Sequence, residues 1–464
     1  MQYHLAIDIG ASSGRHVLGW AEDGGIHMEE IYRFPNGAVQ KNGRLCWDMD
    51  AIFRHILAGM KLCAERGKFP ATVGIDTWAV DFVLLDRTGS RLCDAVSYRD
   101  DRTEGMDRLL EETVPFSELY AETGIQKQPF NTVYQLLAVQ RDTPGMLERA
   151  ERLLMLPDYF HYLLTGEKRQ EYTNATTTSL VSAATGEWSA GLLERMGLPR
   201  RLFGPLAMPG TAAGTLLPQI AAEVGYNCRV VLPATHDTAS AFLAAGAECG
   251  TVVLSSGTWS LLGVETDRPI LSAQARCANY TNSGGYASRF AFLKNIMGLW
   301  MLQCVRQEAG DRYTYAELSG LAESADIDSV VPCNDARFLA PSNMTEEIRR
   351  CCREKGQQTP QSPGETAAVI YNSLAECYRQ AVDELERITS RRYDVIRIVG
   401  GGSRDRYLNR LVASRAGRRV LTGPAEASAL GNLMAQMLGA GVFGNVEAAR
   451  KAVAATFPEE SIDS

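Results

Sequence analysis

Two glycine-rich segments with serine and threonine hydroxyls each follow an apolar stretch of the sequence. One reads Asp8-Ile9-Gly10-Ala11-Ser12-Ser13-Gly14-Arg15, and the other reads Ser255-Ser256-Gly257-Thr258. Backbone N–H groups and hydroxyls in such turns bind phosphate oxygens, and Asp8 suits a hydrated Mg²⁺ ion, which prefers oxygen ligands. A plain hairpin turn explains either segment alone equally well. Because the device occurs twice, the sequence favours phosphate binding by both segments.

A candidate general base lies between these two segments, in the string Thr235-His236-Asp237-Thr238. An aspartate such as Asp237 can accept a proton from a substrate hydroxyl during phosphoryl transfer. The residues that follow it, Thr-Ala-Ser-Ala, are also typical of a helix start. The two interpretations are compatible, because a helix N-terminus keeps a carboxylate ionised.

Three consecutive glycines, Gly400-Gly401-Gly402, end a stretch rich in isoleucine and valine. Without side chains, they allow a flat group such as an adenine ring to approach the backbone. A tight turn from a strand into a helix is the alternative interpretation. The sequence contains no GxxxxGK[ST] motif, which excludes a Walker-type phosphate loop.

Acidic and aromatic residues stand together in the segment 74–82, where Asp76 and Asp81 flank Trp78. Aromatic faces beside carboxylates suit sugars, which present apolar C–H faces and hydroxyl edges. For this segment alone, a hairpin with a half-buried tryptophan is the favoured interpretation.

Strands and helices that alternate along the chain must position these residues. Short apolar runs broken by glycine predict strands in the first fifty residues, and a helical period follows over residues 51–66. Further on, the pattern predicts a long amphipathic helix over residues 365–388 and a strand over residues 395–399. The fold class is therefore expected to be α/β.

Residues 1–20 and 250–265 share one order of elements, namely strand, small polar turn and strand. This similarity predicts two related α/β halves with a cleft between them. We place the boundary near residue 245, which gives an N-terminal domain over residues 1–244 and a C-terminal domain over residues 245–464.

The composition is that of an ordinary globular protein. The 464 residues are 45% apolar and 22% charged, which excludes wholesale disorder. The net charge of −8 argues against nucleic acid or an anionic membrane surface as the main partner. The N-terminus does not resemble a signal peptide, and no apolar run reaches the roughly 18 residues of a membrane helix. We therefore expect a soluble, cytoplasmic protein.

The cysteines and histidines do not form a recognisable metal or redox motif. The eleven cysteines contain no CxxC pair, and the six histidines contain no HxxxH or HExxH pair. This spacing predicts reduced thiols and argues against a histidine-based transition-metal site.

Taken together, the glycine segments resemble the motifs of the FGGY carbohydrate kinases and occur in the same order. Within that family, longer strings are similar to the members that act on L-rhamnulose: Gly74–Trp78, Val80–Phe82, Leu156–Phe160, Glu171–Thr178, His236–Ser240 and Leu293–Trp300. The resemblance implies two actin-like, ribonuclease H-like α/β domains of the sugar kinase, Hsp70 and actin superfamily, with a cleft between them.

The resemblance also implies an activity and a set of site residues. The implied reaction is ATP-dependent phosphorylation of the 1-hydroxyl of L-rhamnulose, or of a similar ketose, with Mg²⁺ accompanying ATP. Asp237 is implied as the catalytic base, and Asp8 as a metal residue acting through water. The implied ATP-binding residues are Ala11, Ser12, Ser13, Gly14, Arg15, Thr258, Gln303 and Gly401. The implied sugar-binding residues are Ala79, His236, Asp237, Thr238 and Asn295.

The chain departs from the family pattern at two places. Ala79 stands where glycine is expected, and its methyl group would crowd a turn near the sugar. Ala413 and Arg415 stand where some relatives have cysteines, so no disulfide is expected there. Two other functions stay open: a kinase for another ketose such as L-fuculose or D-xylulose, and a non-catalytic ATP-binding sugar sensor. The oligomeric state, monomer or dimer, is also left open.

Overall fold

A computed structural model of the chain describes residues 1–246 and 250–462. These residues divide into two compact units, each built from separate segments of the chain. Unit 1 comprises Met1–Ala244, Glu265–Phe292 and Ser428–Thr456. Unit 2 comprises the described residues within Ala245–Val264, Leu293–Ala427 and Phe457–Ser464. The predicted division into domains 1–244 and 245–464 stays a prediction.

Strands and helices alternate through both units, as the sequence pattern predicts. The strands are β1 (Tyr3–Ile9), β2 (Ser13–Glu22), β3 (Gly25–Pro35), β4 (Ala38–Lys41), β5 (Arg44–Trp47), β6 (Pro70–Thr77), β7 (Phe82–Leu85), β8 (Ala95–Val96), β9 (Arg152–Met155), β10 (Gln170–Glu171), β11 (Leu206–Ala207), β12 (Ala212–Thr215), β13 (Arg229–Val231), β14 (Thr251–Ser256), β15 (Trp259–Thr266), β16 (Thr281–Gly284), β17 (Phe290–Met297), β18 (Val395–Val399), β19 (Arg419–Thr422) and β20 (Glu460–Ile462).

The α-helices are α1 (Met49–Glu65), α2 (Met106–Glu111), α3 (Phe116–Thr123), α4 (Thr132–Asp142), α5 (Met146–Arg149), α6 (Leu156–Thr165), α7 (Tyr172–Thr176), α8 (Ala190–Arg195), α9 (Pro218–Val224), α10 (Asp237–Ala245), α11 (Ala273–Cys277), α12 (Trp300–Glu308), α13 (Tyr315–Glu323), α14 (Met344–Glu354), α15 (Pro363–Thr389), α16 (Arg406–Ala416), α17 (Ala427–Gly439) and α18 (Val446–Thr456). The predicted helix over residues 365–388 and the predicted strand over residues 395–399 are confirmed as α15 and β18.

Unit 1 is organised around a six-stranded sheet in the order β12-β13-β6-β1-β2-β3. The N-terminal strands β1, β2 and β3 form an antiparallel meander, while β6 runs parallel to β1 and β13 runs parallel to β6. Apolar side chains of β1 and β6 are fully buried and share one core with helices α1 and α6. Because parallel strands end at the same edge of a sheet, the residues after β1, β6 and β13 are brought together.

Unit 2 repeats this plan with its own strands. β14 and β15 form an antiparallel hairpin, β18 runs parallel to β14, and β19 runs parallel to β18. Ser255 and Ser256 end β14, and Gly257 and Thr258 form the hairpin turn. β18 leads directly into the glycines at 400–402. The long helix α15 begins with a capping box in which Ser362 and Glu365 exchange hydrogen bonds, so its start is fixed locally.

Two further observations concern the described residues only. Ten of the eleven cysteines lie there and form no disulfide with one another, whereas Cys249 lies outside the described residues. In the same part of the chain, no helix combines the length and the apolar character that crossing a membrane requires.

Candidate active site

Two carboxylates and a guanidinium form a row across three neighbouring strands of unit 1. Asp8 on β1 is the Cα partner of Arg15 on β2 and of Asp76 on β6. Arg15 donates to Oδ2 of Asp8 from Nε at 2.9 Å and from Nη2 at 2.7 Å. Since β1 and β6 are parallel, the two carboxylates lie together near the carboxyl ends of their strands, where α/β sheets bind ligands.

Asp76 is fully buried, yet one of its carboxyl oxygens has no hydrogen-bond partner among the described residues. Oδ2 accepts a hydrogen bond from Nδ2 of Asn432 at 2.5 Å, whereas Oδ1 has no donor. Burial, followed by the negative charge of Asp8, holds the pKa of the Asp76 carboxyl well above its ordinary value. The pair of carboxylates therefore favours a proton or a cation beside it.

Asp237 is the first residue of helix α10, and its side chain is 30% exposed. Its Oδ1 accepts from the backbone N–H of Thr238 at 2.6 Å and from the Thr238 hydroxyl at 3.1 Å. Burial, followed by the negative charge of Asp8, raises the pKa of Asp237 to about 7. A carboxylate with a pKa near neutral pH is well matched to accept the proton of a hydroxyl group.

His236 precedes this carboxylate and is uncharged at neutral pH. Burial lowers the pKa of His236 to about 4. Its Nε2 lies 3.6 Å from Oδ1 of Asp237, and its Nδ1 lies 3.4 Å from the hydroxyl of Ser283. A neutral imidazole here offers hydrogen bonds to a polar substrate without adding a charge.

Hydrogen bonds from two directions hold the loop that carries His236 and Asp237. The backbone N–H of Thr77, at the end of β6, donates to the Thr235 carbonyl at 2.9 Å. On the other side, the buried carboxylate of Glu171 accepts from the hydroxyl and the backbone N–H of Thr235. The position of the candidate base is thus set by β6 and by the segment before α7.

The carboxylate of Asp81 is fully buried and is occupied by four N–H donors. They are the indoles of Trp47 at 2.7 Å and Trp78 at 3.0 Å, the amide of Gln135 at 3.0 Å and the backbone of Tyr98 at 3.1 Å. The two tryptophan rings lie with their centroids 4.2 Å apart. Asp81 therefore organises aromatic side chains, and it is not a free carboxylate for a sugar.

Ala79 lies in the strained turn between β6 and β7. Val80 has a φ of 70°, a left-handed conformation that β-branched residues rarely adopt, and the Asp81 N–H donates to the Ala79 carbonyl at 3.0 Å. The hydroxyl of Thr132 donates to the Val80 carbonyl at 2.7 Å, and the Val80 N–H donates to the hydroxyl of Thr177 at 3.3 Å. Such strain persists only where the surroundings enforce it, which is typical of ligand-contacting turns.

The turn between β1 and β2 contains the first predicted phosphate segment. The Gly10 N–H donates to the Ser13 carbonyl at 2.9 Å, which closes the turn, and Ser12 is exposed at its tip. A Cβ atom at Gly14 would lie 2.2 Å from the ring of Phe34. Packing therefore requires this glycine whether or not its backbone contacts a phosphate.

The hairpin turn of unit 2 brings Thr258 and Gln303 together. Nε2 of Gln303, on α12, donates to the hydroxyl of Thr258 at 3.3 Å. The backbone N–H of Leu299 donates to the Gly257 carbonyl at 3.0 Å, and that of Trp300 donates to the Thr258 carbonyl at 3.1 Å. The start of α12 is thus fixed against the turn by three hydrogen bonds.

The glycines after β18 differ in what surrounds them. A Cβ atom at Gly402 would lie 2.0 Å from Oγ of Ser256, whereas a Cβ atom at Gly401 would meet nothing within 4 Å. Packing therefore requires a glycine at position 402, whereas Gly401 lies beside open space. Elsewhere in unit 2, Oδ1 of Asn295 is buried without a hydrogen-bond partner among the described residues, so it is available to a ligand.

Comparison with known proteins agrees with this arrangement in both units. Residues 3–244 match the N-terminal domain, and residues 252–440 match the C-terminal domain, of the FGGY family of carbohydrate kinases. The chain belongs to this family. The enzyme is thus a sugar kinase, with a sugar and ATP as its substrates.

Similar FGGY kinases are found among named proteins and among solved structures. A rhamnulokinase from Halalkalibacterium halodurans is 48% identical over 98% of this chain and 98% of its own. A rhamnulokinase from Oceanobacillus iheyensis is 45% identical over 98% of this chain and 97% of its own. The crystal structure of ligand-bound xylulose kinase from Lactobacillus acidophilus gives a TM-score of 0.83 at 14% identity, covering 99% of this chain and 93% of that one.

The predicted fold class is confirmed by this family membership and by the structural likeness. The FGGY kinases have the two-domain α/β architecture of the actin-like ATPases. A structure of Plasmodium falciparum glycerol kinase with ADP also matches, with a TM-score of 0.78 and 13% identity. The match covers 98% of this chain and 92% of that one. At such low identity, the structural likeness concerns the fold alone.

The predicted site residues of this kinase fall into two groups. Unit 1 contains the residues of β1, β2 and the turn between them, of the turn after β6, and of the loop and first residues of α10. They are Asp8, Ala11, Ser12, Ser13, Gly14, Arg15, Ala79, His236, Asp237 and Thr238. Unit 2 contains Thr258, Gln303, Gly401 and Asn295. Their individual roles stay predictions.

Three residues that contact this constellation were missed from the sequence. Asp76 was noted only as part of an acidic and aromatic string, although it pairs with Asp8 across the sheet. Glu171 was named only as the first residue of the string Glu171–Thr178, and Asn432 was not named. Their partners Thr235 and Asp76 lie 64 and 356 residues away along the chain. The available signal was the pair of amide side chains Asn432 and Gln436, four residues apart in the mostly apolar helix α17.

Proposed function

We propose that this enzyme transfers the terminal phosphoryl group of ATP to the 1-hydroxyl of L-rhamnulose, giving L-rhamnulose 1-phosphate. The observation that carries the proposal is the similarity, across nearly the whole chain, to relatives named rhamnulokinase. The pKa of Asp237 near 7 supports the same reaction, because a hydroxyl nucleophile needs a base that is partly ionised at neutral pH.

Asp237 is the residue to which we assign proton transfer. Its carboxylate accepts the proton of the 1-hydroxyl as the sugar oxygen attacks phosphorus. Thr238 donates two hydrogen bonds to Oδ1 of Asp237 and so holds the orientation of this carboxylate. We assign the neutral His236, the Ala79 turn and the free Oδ1 of Asn295 to the sugar hydroxyls, as donors and acceptors without charge.

The nucleotide is assigned to the glycine segments. Backbone N–H groups of residues 11–13 and the cation of Arg15 suit phosphate oxygens, while Thr258 and Gln303 supply further polar groups. The open space beside Gly401 suits the adenosine. With these assignments, phosphate binding needs no basic surface patch, which agrees with the net charge of −8.

Mg²⁺ is the divalent cation that we assign to this nucleotide. The residues fit it, because Oδ1 of Asp76 is buried without a donor among the described residues and Asp8 lies opposite Asp76 on the neighbouring strand. The described residues contain no group of three or more His, Cys, Asp or Glu side chains arranged to hold a metal ion. Asp8 would therefore hold the ion together with water and phosphate oxygens, as Mg²⁺ commonly requires. When bound, Mg²⁺ neutralises negative charge on the phosphates.

We place the reaction in the cytoplasm. The reaction consumes ATP, and the absence of disulfides among the ten cysteines of the described residues suits a reducing compartment.

A ketose panel tests the proposed substrate. Purified enzyme with ATP and Mg²⁺ is offered L-rhamnulose, L-fuculose and D-xylulose, and ADP release is measured in a coupled assay. We expect the highest kcat/KM with L-rhamnulose, and phosphorus NMR of the product should show a phosphate ester on O1. A higher kcat/KM with another ketose would reassign the substrate. Nucleotide binding without ADP release for any sugar would indicate a sensor.

A further inference from the structure

We propose that Asp76 is a second carboxylate, beside Asp8, of the site that binds the divalent cation of the nucleotide, and that Asn432 is the positioning residue that orients it. The proposal rests on the proposed function in one respect, namely that a cation–nucleotide complex is the phosphoryl donor.

The placement of the two carboxylates is the first observation. Asp8 and Asp76 are Cα partners on the parallel strands β1 and β6, so their side chains leave the same face of the sheet from strands that lie about 4.8 Å apart. Oδ1 of the fully buried Asp76 has no donor among the described residues. Carboxylates accept hydrogen bonds and do not donate them, so two of them at this distance need a proton or a cation.

The local charge is the second observation. Arg15 donates two hydrogen bonds to Oδ2 of Asp8, as described above. Asp237 is close enough to add its negative charge to the field at Asp76. Repulsion among the carboxylates of Asp76, Asp8 and Asp237 therefore favours a cation beside them. Because the described residues contain no complete ligand cage, water and nucleotide oxygens must fill the remaining positions.

Asn432 fixes the orientation of Asp76 from helix α17. Its Nδ2 donates to Oδ2 of Asp76 at 2.5 Å and to the Gly74 carbonyl at 3.1 Å, which uses both of its hydrogens. Its Oδ1 accepts from Nε2 of Gln436 at 2.6 Å. The amide of Asn432 therefore cannot turn around without losing all three hydrogen bonds, and it holds Oδ2 of Asp76 while Oδ1 has no donor among the described residues.

Gln436 extends this chain to both strands that carry the carboxylates. Its Nε2 donates to the Leu5 carbonyl on β1 at 3.0 Å, and its Oε1 accepts from the hydroxyl of Thr72 on β6 at 2.6 Å. Thr72 in turn accepts from Nδ1 of His4, 2.7 Å away, because its own hydrogen is used by Gln436. Asn432 and Gln436 are fully buried, so this network is protected from water.

The variant Asp76→Asn separates cation binding from folding. Its side chain can still accept from Asn432 and can donate to Asp8, so hydrogen bonds are kept and the repulsion between carboxylates is removed. We expect the midpoint of thermal unfolding to stay equal or rise. Mn²⁺ is the probe: it is titrated into enzyme mixed with ADP, and the free ion is measured by electron paramagnetic resonance. We expect Asp76→Asn to weaken Mn²⁺ binding about 10- to 100-fold.

The matched control is Asp101→Asn, which removes the same charge from a side chain that is 90% exposed. We expect unchanged Mn²⁺ binding in this control. Unchanged binding in Asp76→Asn, or a loss of folding stability without a change in Mn²⁺ affinity, would show that Asp76 has only a structural role.

The role of Asn432 is tested in a double-mutant cycle. We expect Asn432→Ala to weaken Mn²⁺ binding in the wild-type background and to have no further effect in the Asp76→Asn background, because Asn432 acts through Asp76. Additive effects would overturn the assignment of Asn432. The Mn²⁺ measurement needs no sugar, so it stays interpretable if the ketose panel gives another substrate. Conversely, a normal Mn²⁺ affinity of Asp76→Asn beside L-rhamnulose turnover by the wild type would overturn this inference alone.

Discussion

Oε2 of Glu171 accepts hydrogen bonds from the hydroxyl of Thr235 at 2.6 Å and from its backbone N–H at 3.2 Å. The same buried carboxylate accepts from the hydroxyl and N–H of Thr173 and from the N–H of Asn174. Glu171 therefore joins the start of α7 to the loop that presents Asp237, although it is too far along the chain from that loop for a local pattern to reveal the contact.

The variant Glu171→Ala tests this connection. Removing the carboxylate leaves five buried donors without their acceptor, and each unsatisfied group costs about 1–3 kcal/mol. We expect the free energy of unfolding, measured in urea, to fall by at least about 3 kcal/mol. We also expect kcat to fall in the folded fraction, because the Asp237 loop loses one of its two supports.

The control for this variant is Glu167→Ala, a nearby carboxylate whose side chain is 56% exposed. It should change the free energy of unfolding by no more than about 0.5 kcal/mol. Equal effects of the two variants would contradict the role of Glu171.

The variant Asp237→Asn tests the assigned base. Asparagine keeps an oxygen that accepts from Thr238, so the loop should fold normally. We expect kcat for the ketose to fall by about two to four orders of magnitude, the scale of a positioned base. ADP affinity, measured by calorimetry, should stay close to that of the wild type. Near-normal turnover would show that another group accepts the proton.

The pKa of Asp237, raised to about 7, predicts how activity depends on pH. The base must be ionised to accept a proton, so kcat/KM should fall about tenfold for each pH unit below this value. This dependence is measured as a profile of kcat/KM against pH from pH 5 to 9, which extends roughly two units on either side of the pKa. A flat profile through pH 7 would contradict the assignment.

The same pKa predicts that the folding stability decreases as the pH rises, whereas the activity increases. The folded state binds the Asp237 proton more tightly than the unfolded state, whose aspartates titrate near 3.8. This contribution to stability is complete below about pH 4 and is lost as the pH rises through about 7. Asp237→Asn should therefore be more stable than the wild type at pH 8, and the difference should shrink as the pH falls. Thermal unfolding of both proteins at several pH values measures it.

Sequence reasoning reached the parts of the site that depend on neighbours along the chain. The turn after β1 and the turn of the β14–β15 hairpin were predictable, because strand, small polar turn and strand is a local pattern. Asp237 was predictable for the same reason, since an acidic residue at a helix start shows in the residues that follow. Gln303, given only by family resemblance, donates a hydrogen bond to Thr258 of the second predicted phosphate segment.

The remaining parts depend on the order of strands in the sheet. Asp76 lies beside Asp8 because β6 pairs with β1 in a register that makes these two residues Cα partners. The sequence alone favoured a plain hairpin around Asp81 over a sugar site. The four N–H partners of Asp81 come from segments that the fold brings together. Periodicity within one segment contains no information about such partners.

The contrast between two neighbouring glycines provides a final prediction, on the nucleotide. A Cβ atom at Gly401 would meet nothing within 4 Å, so Gly401→Val should fold with an unchanged midpoint of thermal unfolding. If adenosine binds there, the valine side chain occupies its space, and we expect the KM for ATP to rise at least about tenfold while kcat changes little. Gly402→Ala is the contrasting variant, because its Cβ atom would lie 2.0 Å from Oγ of Ser256 and should lower the unfolding midpoint. An unchanged KM for ATP in a folded Gly401→Val enzyme would move the adenosine site elsewhere.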